Sequence, residues 1–229
     1  MSINPHQATR DFEQAIAEYT GAPYVVAVNS CTMALTLAVA WQLRNNHLPD
    51  LIWPHCEPGL VEIPRRTYIS VPMAIIHAGG WPSFRDESWI GSYQLRPLPV
   101  WDSARWFSCG MYGANGAGAI GYPAPFSFYG PGQFVCVSFH ASKTLGLEQG
   151  GAILHDNPEA DAWLRKARFD GRTEGVAPKD DKFDMVGWHC YMNPSTAAQG
   201  ILRLHSLPKH NQPLPNDDYP DLSKLEIFK

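Results

Sequence analysis

The chain has 229 residues, 45% of them hydrophobic and 17% charged, enough to bury a full core as one large domain or two small ones. Its formal net charge of −4 leaves no electrostatic footprint for nucleic acid or an anionic membrane surface. No apolar run reaches the ~18 residues of a membrane span, and the polar start MSINPHQATRDFEQ lacks a signal peptide's apolar stretch, so a cytoplasmic protein is expected.

Within Ala8–Thr20, Phe12, Ala15, Ile16 and Tyr19 have the spacing of an amphipathic helix, with Thr9 as candidate N-cap and Gly21 as candidate stop. Tyr24–Val28 (YVVAV) has the composition of a short buried strand. Asn29-Ser30-Cys31-Thr32 follows, and then the apolar helix MALTLAVAWQL. Two uses suit that turn: capping of the helix by Ser30 or Thr32, or an anion cup of hydroxyls and helix N-terminal N–H groups. Cys31 at that helix start is expected to have a lowered pKa.

Asn45–Pro64 reads as an irregular connector, and Thr67–Ser70 leads into a short helix, PMAIIHAGG, that stops at Gly79-Gly80. Trp81–Phe84 is a candidate strand. Pro99–Asp102 (PVWD) is another, and its terminal carboxylate either caps the next segment or lies at the rim where α/β sheets bind ligands. Gly116 to Gly121 has formal GxGxxG spacing. The dinucleotide reading fails because Pro123, Pro125 and Pro131 forbid the helix that must follow, which leaves a loop.

Phe134–Leu154 sets two strand-like runs, FVCVSF and GAIL, around a small-residue loop that carries Lys143. A lysine there either reaches solvent or is used in place, and a buried one gives up its proton readily enough to form a Schiff base with a carbonyl. Asn157–Arg168 is a helix with Asn157 as N-cap and Pro158 in its first turn, and Ser195–Leu207 is another amphipathic helix. The alternation of strands and helices predicts an α/β fold with a mostly parallel central sheet and helices on both faces. Residues 1–207 form the domain, and 208–229 a proline-rich polar tail. The five cysteines (Cys31, Cys56, Cys109, Cys136, Cys190) are scattered and contain no CxxC, so neither a disulfide framework nor a metal site is expected.

In order, the chain presents an anion cup, an aromatic after a connector, a strand-end aspartate and a strand-flanked lysine. These answer the separate demands of pyridoxal 5′-phosphate (PLP): a phosphate site, a ring face, a carboxylate that keeps the pyridine nitrogen protonated, and an amine for the aldehyde. Several stretches resemble the DegT/DnrJ/EryC1/StrS sugar aminotransferase family, of PLP-dependent fold type I. FEQAIAEYTGAPYVVAVNSCTMALTLAVA is similar to its opening helix, strand and phosphate turn, and IPRRTYISVPMAIIHAGGWPSF to its next strand and helix. VWDSAR resembles its pyridine-nitrogen motif, SFHASKTLGLEQGGAI its Schiff-base motif, and MNPSTAAQGILRL a late helix of its large domain.

The resemblance implies that Lys143 forms the Schiff base and acts as general acid and base, and that Asp102 pairs with the pyridinium nitrogen. It implies that Tyr68 stacks on the ring, and that Thr32, the Met33 backbone N–H and Ser138 hold the phosphate while Ser30 and Cys31 shape the turn. Arg105 stands where the family usually has Gln, beside the cofactor's phenolic oxygen. His189 replaces an Asn that reaches the partner subunit's phosphate, and Tyr191 replaces an Arg. The chain is shorter than the family between Phe84 and Val100, carries an apparent insertion at Tyr122–Gln133, and stops where a smaller C-terminal domain begins in the family. The implied activity is transfer of an amino group from an amino-acid donor, glutamate or glutamine, to a carbonyl acceptor such as a keto-sugar nucleotide, in a homodimer with shared sites. The alternatives are a PLP enzyme of another reaction type (lyase, decarboxylase or amino-acid attachment) and a PLP-binding remnant without turnover.

Overall fold

The computed structural model describes residues 6–45, 59–113, 129–216 and 218–229. Helix α1 (Gln7–Thr20) buries Phe12 and Ile16, and Gly21 ends it at φ 83° with its N–H donated to the Ala17 carbonyl at 2.8 Å. Thr9 is not the cap: the His6 carbonyl accepts from the Thr9 and Arg10 N–H groups, so the first turn closes earlier and Thr9 is buried within the helix. Strand β1 (Tyr24–Val28) runs into helix α2 (Cys31–Asn45). Strand β2 (Leu60–Pro64), within the expected connector, pairs in parallel with β3 (Trp81–Arg85) through the crossing helix α3 (Ser70–His77). Strands β4 (Tyr93–Leu95) and β5 (Val100–Asp102) form an antiparallel hairpin that the sequence does not announce. Then come β6 (Phe134–Ser138), β7 (Gly151–His155), α4 (Pro158–Ala167) and α5 (Pro194–Ser206). Asn157 caps α4 as expected, its side chain accepting from Glu159 and Ala160 N–H.

The main sheet has the order β1-β7-β6-β5-β4, and one backbone bridge, Glu62 to Arg96, links it to the β2–β3 pair. The α/β class holds, but the sheet is mixed rather than mostly parallel: only β5–β6 runs parallel, and its other three pairings are antiparallel. Parallel neighbours need long crossovers. Here β4 and β5 are joined by a short loop, the lysine loop between β6 and β7 turns back without a crossing helix, and β1 enters beside β7 in the opposite sense.

Both faces of the sheet are covered, which explains why its strands read as continuous apolar runs. Val26, Val28, Phe134, Cys136 and Ile153 point into a core with α2, α3 and α4. Val25, Ala27, Val135, Val137 and Leu154 point into a second core with α1 and α5. Side chains satisfy the outer edge of β1. Ala27 N–H donates to Glu13 at 2.8 Å, Val25 O accepts from Arg165 at 3.0 Å, and Ala27 O accepts from Arg168 at 2.6 Å. Glu13 in turn accepts from both arginines, so one buried carboxylate ties α1 to β1 and α4.

The C-terminal segment lies against the domain. Cys109 N–H donates to Lys209 O at 2.9 Å, Leu214 N–H to Arg105 O at 2.8 Å, and Leu222 N–H to Arg65 O at 2.8 Å. Leu222 is fully buried. Among the described residues no helix is long and apolar enough to cross a membrane. The GxGxxG stretch and most of the apparent insertion lie outside the described residues.

Candidate active site

Strand direction brings the chemistry together. Strands β5 and β6 run parallel, so Asp102 and Ser138 end them on the same side. Strand β7 is antiparallel to both β6 and β1, so its first residue, Gly151, lies between Ser138 and Val28 at that same edge. The turn after β1, the lysine loop between β6 and β7 and the start of α3 therefore converge on a cleft of about 360 Å³. Ser30, Cys31, Thr32, Tyr68, Asp102, Arg105, Ser138 and Lys143 all line it. Met33 and His189 do not.

At the phosphate turn, Ser30 Oγ accepts the Met33 N–H at 3.2 Å, so Ser30 caps α2 and the Met33 N–H has a protein partner. Thr32 Oγ1 shares a hydrogen bond of 2.8 Å with Ser70 Oγ. Cys31 departs from expectation: burial, followed by the charge of Asp102, pushes its thiol well up, and Lys143 only partly opposes this. A helix N-terminus lowers a thiol pKa when water or a cation supports the thiolate, and at 9% exposure desolvation wins. Gly151 lets β7 pass beneath the turn, for a Cβ there would sit 2.5 Å from Cys31 N and 2.6 Å from the Ser30 carbonyl carbon.

Asp102 is 5% exposed. Its Oδ1 accepts the Ala104 N–H at 2.9 Å and its Oδ2 the Tyr93 hydroxyl at 2.8 Å. Burial pushes the carboxyl up, against the pull of these two donors and of the Lys143 and Arg105 charges. Each oxygen retains a lone pair for a further donor. Lys143 is half-buried in a loop fixed by its own N–H to the His140 carbonyl, 2.8 Å. Tyr68 stands just before α3, 58% exposed, and lines the cleft.

Arg105 lines the cleft, yet its guanidinium reaches the C-terminal segment, donating to Tyr219 Oη at 3.2 Å and to the Pro215 carbonyl. Tyr219 stacks on Trp89 (14° between planes), and both rings line the same cleft. His189 lies elsewhere, with Nδ1 2.8 Å from Asp170 Oδ2 on an exposed surface. Sequence reading missed Thr67, Ser70, Trp89, Tyr93 and Tyr219. Tyr219 had the faint signal of an aromatic within a polar tail, and Tyr93 had none, because its role comes from register with Asp102.

The residues fit a phosphorylated pyridine aldehyde such as PLP. The hydroxyls around the α2 N-terminus suit a phosphate, the buried Asp102 oxygens a protonated ring nitrogen, and Lys143 an aldehyde. Fold and site thus define an α/β protein whose cleft is built for such a cofactor. The chain belongs to the DegT/DnrJ/EryC1/StrS aminotransferase family, whose sequence model matches residues 3–96 and 102–213. The fold is shared with AtS13 from Actinomadura melliaura (20% identity, TM-score 0.64, covering 87% of this chain and 60% of that one). It is also shared with the sugar aminotransferase CalS13 from Micromonospora echinospora (18%, 0.62, 86% and 60%). A third likeness is to Helicobacter pylori PseC, an aminotransferase of pseudoaminic acid biosynthesis (15%, 0.61, 90% and 63%). The chain thus spans about three fifths of these proteins' length. No curated protein matches it in sequence.

Proposed function

We propose that the chain is a cytoplasmic PLP-dependent aminotransferase that moves an amino group from glutamate or glutamine to a carbonyl acceptor, with a keto-sugar nucleotide as the acceptor class the family suggests. The observation that carries this reading is the convergence of Lys143, buried Asp102, the hydroxyl-lined start of α2 and Tyr68 on one cleft. PLP, when bound, supplies an electron sink for negative charge at the substrate's Cα. Asp102 holds the proton on the ring nitrogen that makes the sink effective. Thr32, Ser30 and Ser138 bind the phosphate, and Tyr68 covers the ring. Lys143 would hold the cofactor's aldehyde in the resting protein and, once the substrate's amine has displaced it, would be free to move the proton at the substrate's Cα. In the same reading the protein is a homodimer, and His189 extends to the phosphate bound by the other subunit.

A second reading, a PLP enzyme of another reaction type, is favoured by the rim of the cleft. Tyr219 holds Arg105 there and lies beyond the family-matched residues, which end at 213. One set of measurements separates these readings. Purified protein titrated with PLP gains a visible absorption band that Lys143→Ala abolishes. L-glutamate then bleaches the band and releases 2-oxoglutarate. No band rules out both readings; a band that glutamate leaves unchanged, with another amino acid consumed, selects the second.

A further inference from the structure

We infer that Tyr93 is a positioning residue for the cofactor-facing carboxylate, forming with Thr67 a one-directional hydrogen-bond chain that aims and holds Asp102. This rests on the cofactor reading above. Tyr93 on β4 lies directly opposite Asp102 on β5, and residues so paired present side chains on the same face of a sheet. The Tyr93 hydroxyl donates to Asp102 Oδ2 at 2.8 Å, and Thr67 Oγ1 lies 2.6 Å from the same hydroxyl. A phenol has one hydrogen. Since Tyr93 spends it on Asp102, the hydrogen of the shorter contact comes from Thr67. Thr67, Tyr93 and Asp102 are 1%, 2% and 5% exposed, so water does not replace a lost member.

The chain links three separate pieces of the fold. Thr67 precedes α3 beside the ring-covering Tyr68, Tyr93 comes from the unannounced hairpin, and Asp102 ends β5. With Ala104 N–H on Oδ1 and Tyr93 on Oδ2, each oxygen is fixed by one donor and the carboxylate plane cannot swing away from the cleft. Burial works against ionisation of Asp102, and the Tyr93 hydrogen bond works for it. The other ionisable groups around Asp102 are Cys31 at the start of α2, Cys136 on β6, Lys143 in the lysine loop, Arg105 after β5 and Tyr129. Burial pushes both thiols and Tyr129 up, so they stay neutral where Asp102 titrates.

The test is Tyr93→Phe in the full chain, a variant that keeps the ring in its packing against Trp89. A hydrogen bond to a buried charge is worth about 1.5–3 kcal/mol, so PLP affinity should fall roughly tenfold to hundredfold, with its acid-side loss moved to higher pH. Thr67→Val should act in the same direction and more weakly. In an Asp102→Asn background, Tyr93→Phe should change PLP affinity by less than about twofold, since its effect passes through the carboxylate. A carbon-13 NMR titration of Asp102 in the cofactor-free protein should show its carboxyl shifted to higher pH in Tyr93→Phe. Wild-type affinity and pH profile in Tyr93→Phe overturn the inference, as does an equal loss in the Asn background. A wild-type protein that binds no PLP overturns the cofactor reading, and the Asp102 titration then still decides the Tyr93 contact.

Discussion

Gly151→Ala tests the link between sheet register and site directly. The new Cβ would lie 2.5 Å from Cys31 N, roughly 0.9 Å inside the 3.4 Å at which ordinary contact begins. The atoms it meets are backbone, so no side chain can swing away. Gly151 is also in register with both Val28 and Ser138, so retreat of β7 would strain two ladders. The turn carrying Ser30, Cys31 and Thr32 must therefore move, by most of an ångström. Overpacking of this kind costs about 1–3 kcal/mol, and in a chain of this size each kcal/mol lowers Tm by about 2–4 °C, giving a drop of roughly 2–12 °C. A hydrogen bond to a charged group such as a phosphate is worth about 1.5–3 kcal/mol, so misplacing one donor of this turn should lower PLP affinity by about 10- to 100-fold. Differential scanning calorimetry and a PLP titration on the same preparation measure both. A variant that keeps wild-type Tm and PLP affinity would refute the close approach of β7 to the turn.

Three further substitutions probe separate parts of the molecule. Glu13→Gln leaves Arg168 (2% exposed) beside a neutral amide, with Glu174 at 3.4 Å still balancing its charge, and should cost about 1.5–3 kcal/mol in urea unfolding. Burial raises the Glu13 carboxyl, but the Arg168 and Arg165 charges and hydrogen bonds from Arg165 and Ala27 outweigh it and hold the carboxyl below its ordinary value. Its stabilisation is thus complete above the unfolded carboxyl pKa of about 4.3 and fades as pH falls through the lower folded value. The wild-type advantage should narrow in that window; an advantage independent of pH would contradict this. Tyr219→Ala removes the stack on Trp89 and an acceptor for Arg105, and should raise KM for L-glutamate about tenfold while PLP affinity changes less than about threefold. Unchanged KM would remove Tyr219 from the substrate path. His189→Ala should weaken PLP binding about three- to tenfold, as loss of one hydrogen bond does, and unchanged affinity removes His189 from the phosphate site.

The predicted residues that converge on the cleft were legible because each answers a separate chemical demand at a place its local sequence marks. Lys143 sits between two apolar runs, Asp102 ends a short one, and Thr32 opens a helix. Helix α4 was readable for the same local reason: Asn157 and Pro158 are start signals in themselves. What escaped depends on contacts distant in sequence. Strands β2 and β4 are short and carry little pattern, and only pairing with β3 and β5 makes them strands. Strand direction escaped too, because alternation of strands and helices does not reveal which neighbours are joined by short loops. Cys31 shows the limit for electrostatics: helix position was visible, but the burial that outweighs it was not. The composition of the tail, rich in proline and polar residues, hid the anchor at Leu222.

That anchored segment sets an order of events during synthesis. Arg105 and its acceptor Tyr219 are 114 residues apart, so at about 5–20 residues per second the ribosome makes the acceptor roughly 6–23 s after the arginine. Lys143 is made within that interval, and from then until Tyr219 is made the nascent chain has its lysine, carboxylate and phosphate turn while the Arg105 contacts to Pro215 and Tyr219 are still to form. The rim beside Arg105 is thus completed well after the lysine, carboxylate and phosphate turn have been made.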